Sequence, residues 1–460
     1  MKIIDISKSC VKCAKCVPSC TIYQIHRDET TSPRGFVDLL ALCAKGDLKL
    51  DENLKNIFET CFLCTTCTTQ CPAKIDTATM IIKSRIKIAQ KYGISWYKRV
   101  YFFLLRHRKI MDFVFAFTHF VAPCAFKSNG DRLRSRFPLS RFGARTIFPF
   151  AKKSFLNKYK NYRFAPNRAE SSVDSRSTRH CEARSNPNES SVDSSANLAI
   201  DSQDSRTNPR KVAIFIGCLS NYNYTEVGDS LIKILERLNI KAVIPKQECC
   251  AAPAYFTGDI KSVVHLVKKN IALFEGFWDE IDAMIIPEAT CAAMIMVDWR
   301  HALEMSDLVD KSAWIARLER LLPKIFMASD YLYRHTNLRE LLVNSPKKRE
   351  SITYHDPCHA KKVLGVHKEP RNLLGANYEI REMSECDRCC GFGGVTMQSQ
   401  KYRFARDAGL AKARNIAQSG AQIVSAECSA CRIQLNNAMD AESVPTRFKH
   451  PIELIAEALR

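Results

Sequence analysis

The chain has 460 residues, room for about three domains, and 46% hydrophobic with 25% charged residues excludes an intrinsically disordered polypeptide. Its 21 cysteines are too many for a metal-free protein of a reducing compartment, and the length excludes a small disulfide scaffold. The net charge of +21 is localised: residues 91–164 hold 17 Lys/Arg against Asp112 and Asp131, and 19 of the 42 aromatics.

Met1-Lys2-Ile3-Ile4-Asp5 carries no signal-peptide apolar region, so the expectation is a cytoplasmic chain whose thiolates are held by metal. Cys10, Cys13, Cys16 and Cys20 are spaced C-x2-C-x2-C-x3-C, and Cys61, Cys64, Cys67 and Cys71 repeat the pattern before Pro72. This is the run of bacterial [4Fe–4S] ferredoxins. Zinc sites instead pair one C-x2-C with a distant pair of ligands. The two runs resemble those of two-cluster ferredoxins, in which the fourth cysteine of each run ligates the other cluster. That implies one set of Cys10, Cys13, Cys16 and Cys71, and another of Cys61, Cys64, Cys67 and Cys20. The stretch between the runs is expected to be a small helical connection, with Cys43 a buried thiol outside both sets.

Ile81, Ile82, Ile86 and Ile88 recur on helical spacing from Asp76, and Gly93 can stop that helix. Trp96 to Lys109 reads as a basic amphipathic helix. The basic and aromatic segment to Phe164 is either a linker packed on the protein's own core or a surface for a membrane or partner. Its longest uncharged run, Phe113 to Phe126, is too short to span a bilayer. Residues 165–210 turn to Ser, Asn, Asp and Arg, and Glu170–Ser175 recurs as Glu189–Ser194. Too little apolar surface is available there to offset ordering entropy, so a disordered insertion with a functionless Cys181 is expected.

From Lys211 a buried parallel-strand pattern, Val212 to Gly217, leads to Cys218. A helix over about 225–238, a strand at Ala242–Pro245, Cys249-Cys250, a helix over about 259–275, and a strand at Ala283–Pro287 before Cys291 follow. The order recurs downstream: Ser351–Tyr354 before Cys358, Tyr378–Ile380 before Cys389-Cys390, a helix over about 400–418, then Gln422–Val424 before Cys428 and Cys431. Cys218, Cys249 and Cys250 recur after 140 residues, and Cys291 is aligned with Cys428 after 137, which places Cys431 opposite Met294. Cysteines just after strand ends sit where open α/β sheets place ligands. Adjacent cysteines strain a single tetrahedral ion but can reach different irons of a cluster.

On these residues, with Asp356-Pro357-Cys358-His359 and Cys389-Cys390-Gly391-Phe392-Gly393-Gly394, the chain resembles the glycolate oxidase iron–sulfur subunit family. Its repeats resemble the cysteine-rich CCG domains of heterodisulfide reductases. The resemblance implies a multidomain α+β fold: an α-helical ferredoxin-like domain over 1–90, a basic aromatic helical linker over 91–164, the insertion over 165–210, and two duplicated α/β CCG domains over 211–345 and 346–460. It further implies two [4Fe–4S] clusters and another iron–sulfur cluster on Cys358, Cys389, Cys390, Cys428 and Cys431, as five cysteines hold a non-cubane cluster in heterodisulfide reductases. Gly391, Gly393 and Gly394 would let backbone N–H groups approach its sulfurs. The first repeat, with Cys218, Cys249, Cys250 and Cys291 but Ala251 after the pair, is left open between a four-cysteine cluster, a zinc ion and nothing.

The implied role is electron transfer from a flavoprotein (FAD) dehydrogenase subunit to membrane quinone, directly or through another subunit, at the inner face of the cytoplasmic membrane. The alternatives are a disulfide-type reductase acting at the second CCG site and a counterpart of the related cysteine-rich subunit of anaerobic glycerol-3-phosphate dehydrogenase. A nucleic-acid partner is not expected, because the basic residues lie away from the cysteines. No G-x-G-x-x-G opens a helix after a strand, so the dehydrogenation is assigned to a partner. His355 and His359 are expected to cap or pack, and Cys386 to be a plain thiol.

Overall fold

The computed structural model describes residues 8–129, 132–136, 145–163 and 210–459. The expected insertion over 165–210, with Cys181, lies outside the described residues but for Arg210.

The N-terminal unit is helical: α1 (Thr21–His26), α2 (Pro33–Lys45), α3 (Glu52–Phe58), α4 (Thr66–Gln70) and α5 (Thr77–Tyr92). Its boundaries follow from capping. Ser32 accepts from the Gly35 N–H with Pro33 in the first turn, Asp51 from Leu54 N–H, and Asp76 from Thr79 N–H. Phe36, Phe58, Met80, Ile81 and Ile82 form its core.

The expected single helix from Trp96 breaks at His107, which leaves the helical region. It becomes α6 (Trp96–Arg106) and α7 (Arg108–Ala125). Phe115 on α7 packs on Tyr222, with ring centres 4.6 Å apart. Directly beyond α7 the described chain turns to strand: β1 (Phe126–Asn129), β2 (Arg132–Ser135) and β3 (Thr146–Ile147) form a small antiparallel sheet, and a one-turn helix, Phe155–Lys158, follows. This segment is wedged among the other units. Buried Lys98 of α6 donates to Thr396 Oγ1 and Gln400 Oε1, each at 3.0 Å.

The two repeats each build a four-stranded, all-parallel sheet. The first has the order β5-β4-β6-β7, from β4 (Lys211–Ile214), β5 (Lys241–Val243), β6 (Ala283–Ile286) and β7 (Ile325–Met327). The second has β9-β8-β10-β11, from β8 (Ser351–Tyr354), β9 (Glu379–Ile380), β10 (Ile423–Ser425) and β11 (Arg447–Lys449). The two orders are the same. The fourth strand of each sheet escapes the sequence reading, because no cysteine follows it to mark its end and its three residues carry little periodicity of their own. Register corrects the alignment of the repeats. Val212 pairs with Ala283 and Ile352 with Ile423, so both strands are displaced by 140. The same displacement carries Cys291 onto Cys431, and Cys428 falls opposite Glu288, not Cys291.

Candidate iron–sulfur centres

In the dicluster unit, one cavity is lined by Cys10, Cys13, Cys16 and Cys71, and a second by Cys20, Cys61, Cys64 and Cys67. The fourth cysteine of each run thus lines the cavity of the other run. Both loops use the same backbone device. Lys12 and Ala14 flank Cys13 with φ of 54° and 61°, and Leu63 and Thr65 flank Cys64 with 56° and 57°. Alternation into the left-handed region curls the loop and turns amides inward, as in anion-binding nests. Leu63 N–H points at Cys61 Sγ from 3.4 Å. Burial pushes the Cys20 thiol up to about 12 and Cys61 to about 11. Bare, these groups stay protonated at neutral pH. A cluster iron would stabilise the thiolates outright, so the donor chemistry fits iron–sulfur ligation.

In the second repeat, Cys358 follows β8, Cys389-Cys390 follow β9, and Cys428 and Cys431 follow β10; all five are at most 9% exposed. Cys390 and Cys431 sulfurs lie 3.4 Å apart, and the Gly391 N–H meets Cys389 Sγ at 3.4 Å. Gly391 is at φ 89°, and a Cβ there would sit 2.7 Å from Ala408 Cβ. A Cβ at Gly393 would meet Phe62 of the dicluster unit at 2.6 Å, whereas one at Gly394 would face Phe256 at 3.6 Å. Gly393 thus makes room for docking between units, while Gly391 turns an amide to sulfur. Cys64 reaches across this joint. Its thiol packs against the same buried cluster as Cys358 and Cys389, and their proximity holds it well below the usual thiol range. Lys362 neutralises the meeting point: its Nζ donates to Thr66 Oγ1 at 2.6 Å and to the Asp387 carbonyl at 2.7 Å. Thr66 Oγ1 is itself 3.3 Å from Cys64 Sγ.

The first repeat reproduces much of this geometry. Cys250 and Cys291 sulfurs lie 3.3 Å apart, and the Ala251 N–H meets Cys249 Sγ at 3.4 Å. Ala251 does so at φ 74°, the conformation Gly391 adopts without a Cβ penalty. Glu288, opposite Cys428, does not present a free carboxylate to the site, since it accepts from the hydroxyls of Ser220 and Ser429 and from Ser429 N–H. Tyr101 of α6 lies close to the four thiols, and burial foremost pushes its hydroxyl up. Four thiols fit a metal centre with one donor fewer than the second repeat. Outside these sets, Cys43 is half-buried, and Cys386 donates to Asp356 Oδ2 at 3.4 Å.

A 4Fe–4S dicluster domain matches residues 6–75, and a cysteine-rich domain matches residues 212–296 and 352–436, ranges displaced by the same 140 residues as the strands. The chain is 25% identical over 469 residues to a probable glycolate oxidase iron–sulfur subunit of Bacillus subtilis, covering 98% of this chain and 93% of that one. The chain belongs to the glycolate oxidase iron–sulfur subunit family. Lactate utilization protein A of Halalkalibacterium halodurans is 28% identical over 249 residues, 53% of this chain and 96% of that protein. A subunit of the fumarate reductase (CoM/CoB) of Methanothermobacter marburgensis is 29% identical over 238 residues, 51% of this chain and 43% of that subunit.

Three site residues of this family member escape the sequence reading. Arg85 is buried on α5 and donates to the carbonyls of Phe58 at 3.1 Å, Cys61 at 2.7 Å and Phe256 at 2.8 Å. It thereby ties the Cys61 loop to the first repeat. A signal was present, since Arg85 shares a helix face with Ile81 and Ile88. Lys362 and Glu288 had none, because the contacts that place them at joints, to Thr66 and to Ser429, cross between units.

Proposed function

We propose that the chain is the electron-transfer subunit of a flavin-dependent glycolate, or similar 2-hydroxy-acid, dehydrogenase. It takes electrons from a separate FAD-containing subunit and passes them toward membrane quinone, directly or through another subunit. The observation that carries the reading is the packing of Cys64 against the buried cluster of Cys358 and Cys389, which joins a dicluster thiol set to the five-cysteine set. In this reading Cys10, Cys13, Cys16 and Cys71 hold one [4Fe–4S] cluster, and Cys20, Cys61, Cys64 and Cys67 the other. Cys358, Cys389, Cys390, Cys428 and Cys431 hold a further iron–sulfur group, while Cys218, Cys249, Cys250 and Cys291 hold a metal centre of lower ligand count. Bound there, the clusters supply one-electron carriers. The chain's part is to fix their spacing through Arg85 and the Gly393–Phe62 contact, to place Lys362 between two of them, and to keep water out. Burial of all five second-repeat thiols favours electron transfer through protein over turnover of a bulky disulfide.

The same reading places the chain peripherally on the inner face of the cytoplasmic membrane. No helix among the described residues is long and apolar enough to cross a membrane. On α7, Ile110, Phe113, Phe117, Phe120 and Val121 are 43–72% exposed and recur on one face of the helix. The surrounding segment is strongly basic, a combination suited to lying in the interface of an anionic leaflet. The test is reduction of the purified, iron-loaded chain followed by absorbance and EPR. Glycolate should bleach the clusters only when the flavoprotein is added, and the chain should bind anionic but not neutral vesicles. Reduction by glycolate without a flavoprotein, or turnover of a disulfide by this chain alone, would overturn the assignment.

A further inference from the structure

We propose that His355 is a sixth protein ligand of the second cysteine-rich site, binding through Nε2 the iron held by Cys390 and Cys431; this rests on that site holding an iron–sulfur group. The imidazole follows directly on β8 and is fully buried. Its Nδ1 lies 3.1 Å from the Cys386 carbonyl oxygen. A carbonyl only accepts, so Nδ1 carries the proton, and in the neutral ring Nε2 is a bare lone pair. That oxygen is itself fixed, since it also accepts from Asp356 N–H and Lys412 Nζ, each at 3.0 Å. A backbone carbonyl that sets the tautomer from behind is the usual support of a metal-binding imidazole.

The other face of the ring meets the site. Nε2 is buried, meets no partner at hydrogen-bond geometry, and has the Cys390 thiol as its polar neighbour. Nε2, Cys390 Sγ and Cys431 Sγ all lie within 4.8 Å of one another. One metal ion at about 2.3 Å from each sulfur and about 2.0 Å from the nitrogen, the distances of thiolate and imidazole sites, spans such a triangle. The repeat supplies an internal comparison. The residue 140 positions upstream is Phe215, which has no ring nitrogen, and that repeat also carries Glu288 opposite Cys428. The site with the full cysteine set is therefore also the site with the nitrogen donor. Exchange of thiolate for neutral imidazole raises the potential of iron–sulfur centres, as in Rieske clusters. His355 would thus give the site a higher potential than a sixth thiolate in its place would.

The test is pulsed EPR on the full chain labelled with ¹⁵N-histidine, in the paramagnetic state of the second-repeat centre. The expected result is a strongly coupled nitrogen that persists in His359→Gln and disappears in His355→Phe. Should His355→Phe fail to hold iron at that site, His355→Cys supplies a replacement ligand. It should retain the iron, lose the nitrogen coupling and shift the midpoint potential downward. A nitrogen coupling unchanged in either variant overturns the proposal. So does wild-type protein with iron at the site and only the weak coupling expected of an outer N–H···S donor. Absence of any iron beyond that of the two dicluster centres and the first repeat would instead overturn the reading of the site itself.

Discussion

Replacing Lys362 with Met removes one positive charge from the joint between the dicluster unit and the second repeat while keeping the stem of the side chain. Burial works against that charge, but the thiolates of Cys358 and Cys64 outweigh it, so the ammonium is held. Its Nζ and the Cys64 sulfur share the Thr66 hydroxyl. At roughly 6 Å and an effective dielectric constant near 20, one charge is worth about 3 kcal/mol, and about half that after allowance for partial solvent contact. For a one-electron couple this corresponds to a fall of roughly 60–120 mV in the midpoint potential of the adjoining centres. The assay is an EPR-monitored redox titration of Lys362→Met beside Lys361→Met. Lys361 pairs with Asp356 Oδ2 at 3.0 Å and Asp387 Oδ2 at 3.5 Å, so its charge is already compensated and its loss should move the potential far less. A potential unmoved in Lys362→Met, or moved equally in Lys361→Met, refutes the electrostatic account.

Arg85→Met strips donors from three carbonyls in a buried joint and should destabilise by about 3–5 kcal/mol, seen as a lower denaturant midpoint and faster proteolysis between the dicluster unit and the first repeat. Unchanged stability would show that the staple is dispensable. Ala251→Gly relieves a left-handed alanine and should stabilise by about 1 kcal/mol, a thermal upshift of a few degrees; a downshift would contradict the strain argument. His450 is buried, accepts from Ile452 N–H and lies 3.0 Å from the Pro287 carbonyl; burial lowers it to about 4. A depressed imidazole stabilises above its unfolded value near 6.5, and that stability is lost as pH falls toward 4. Unfolding midpoints should therefore drop between pH 7 and 5 by the equivalent of about 2 kcal/mol, and the drop should shrink in His450→Gln.

The cysteine runs and the duplication were legible because they are local. Ligand spacing within a run is written into the chain, and a repeat preserves offsets whatever its fold. The strands before Cys218, Cys291, Cys358 and Cys428 were legible too, since buried parallel strands are short continuous apolar runs bounded by polar turns. Helix α5 was readable from Asp76 to Gly93 through its cap and its apolar spacing. The alignment of the last cysteines failed because matching one cysteine to another ignored the strand that carries them. Pairing of Val212 with Ala283 and of Ile352 with Ile423 sets the offset at 140.

Composition and spacing alone determined that this is an iron–sulfur protein with two ferredoxin runs and a duplicated cysteine-rich half. Only the tertiary structure decided how those parts face one another. It brought Cys64 onto Cys358 and Cys389, joined Glu288 to Ser429, turned α6 into a wedge between units, and aimed the bare nitrogen of His355 at Cys390 and Cys431. Each of those contacts except the last joins residues of different units. The physical reason is that a ligand motif is fixed by a few bond lengths of local chain, whereas contact between units depends on buried surfaces, on donors such as Arg85 and on close approaches such as Gly393 against Phe62, none of which leaves a periodic trace in sequence.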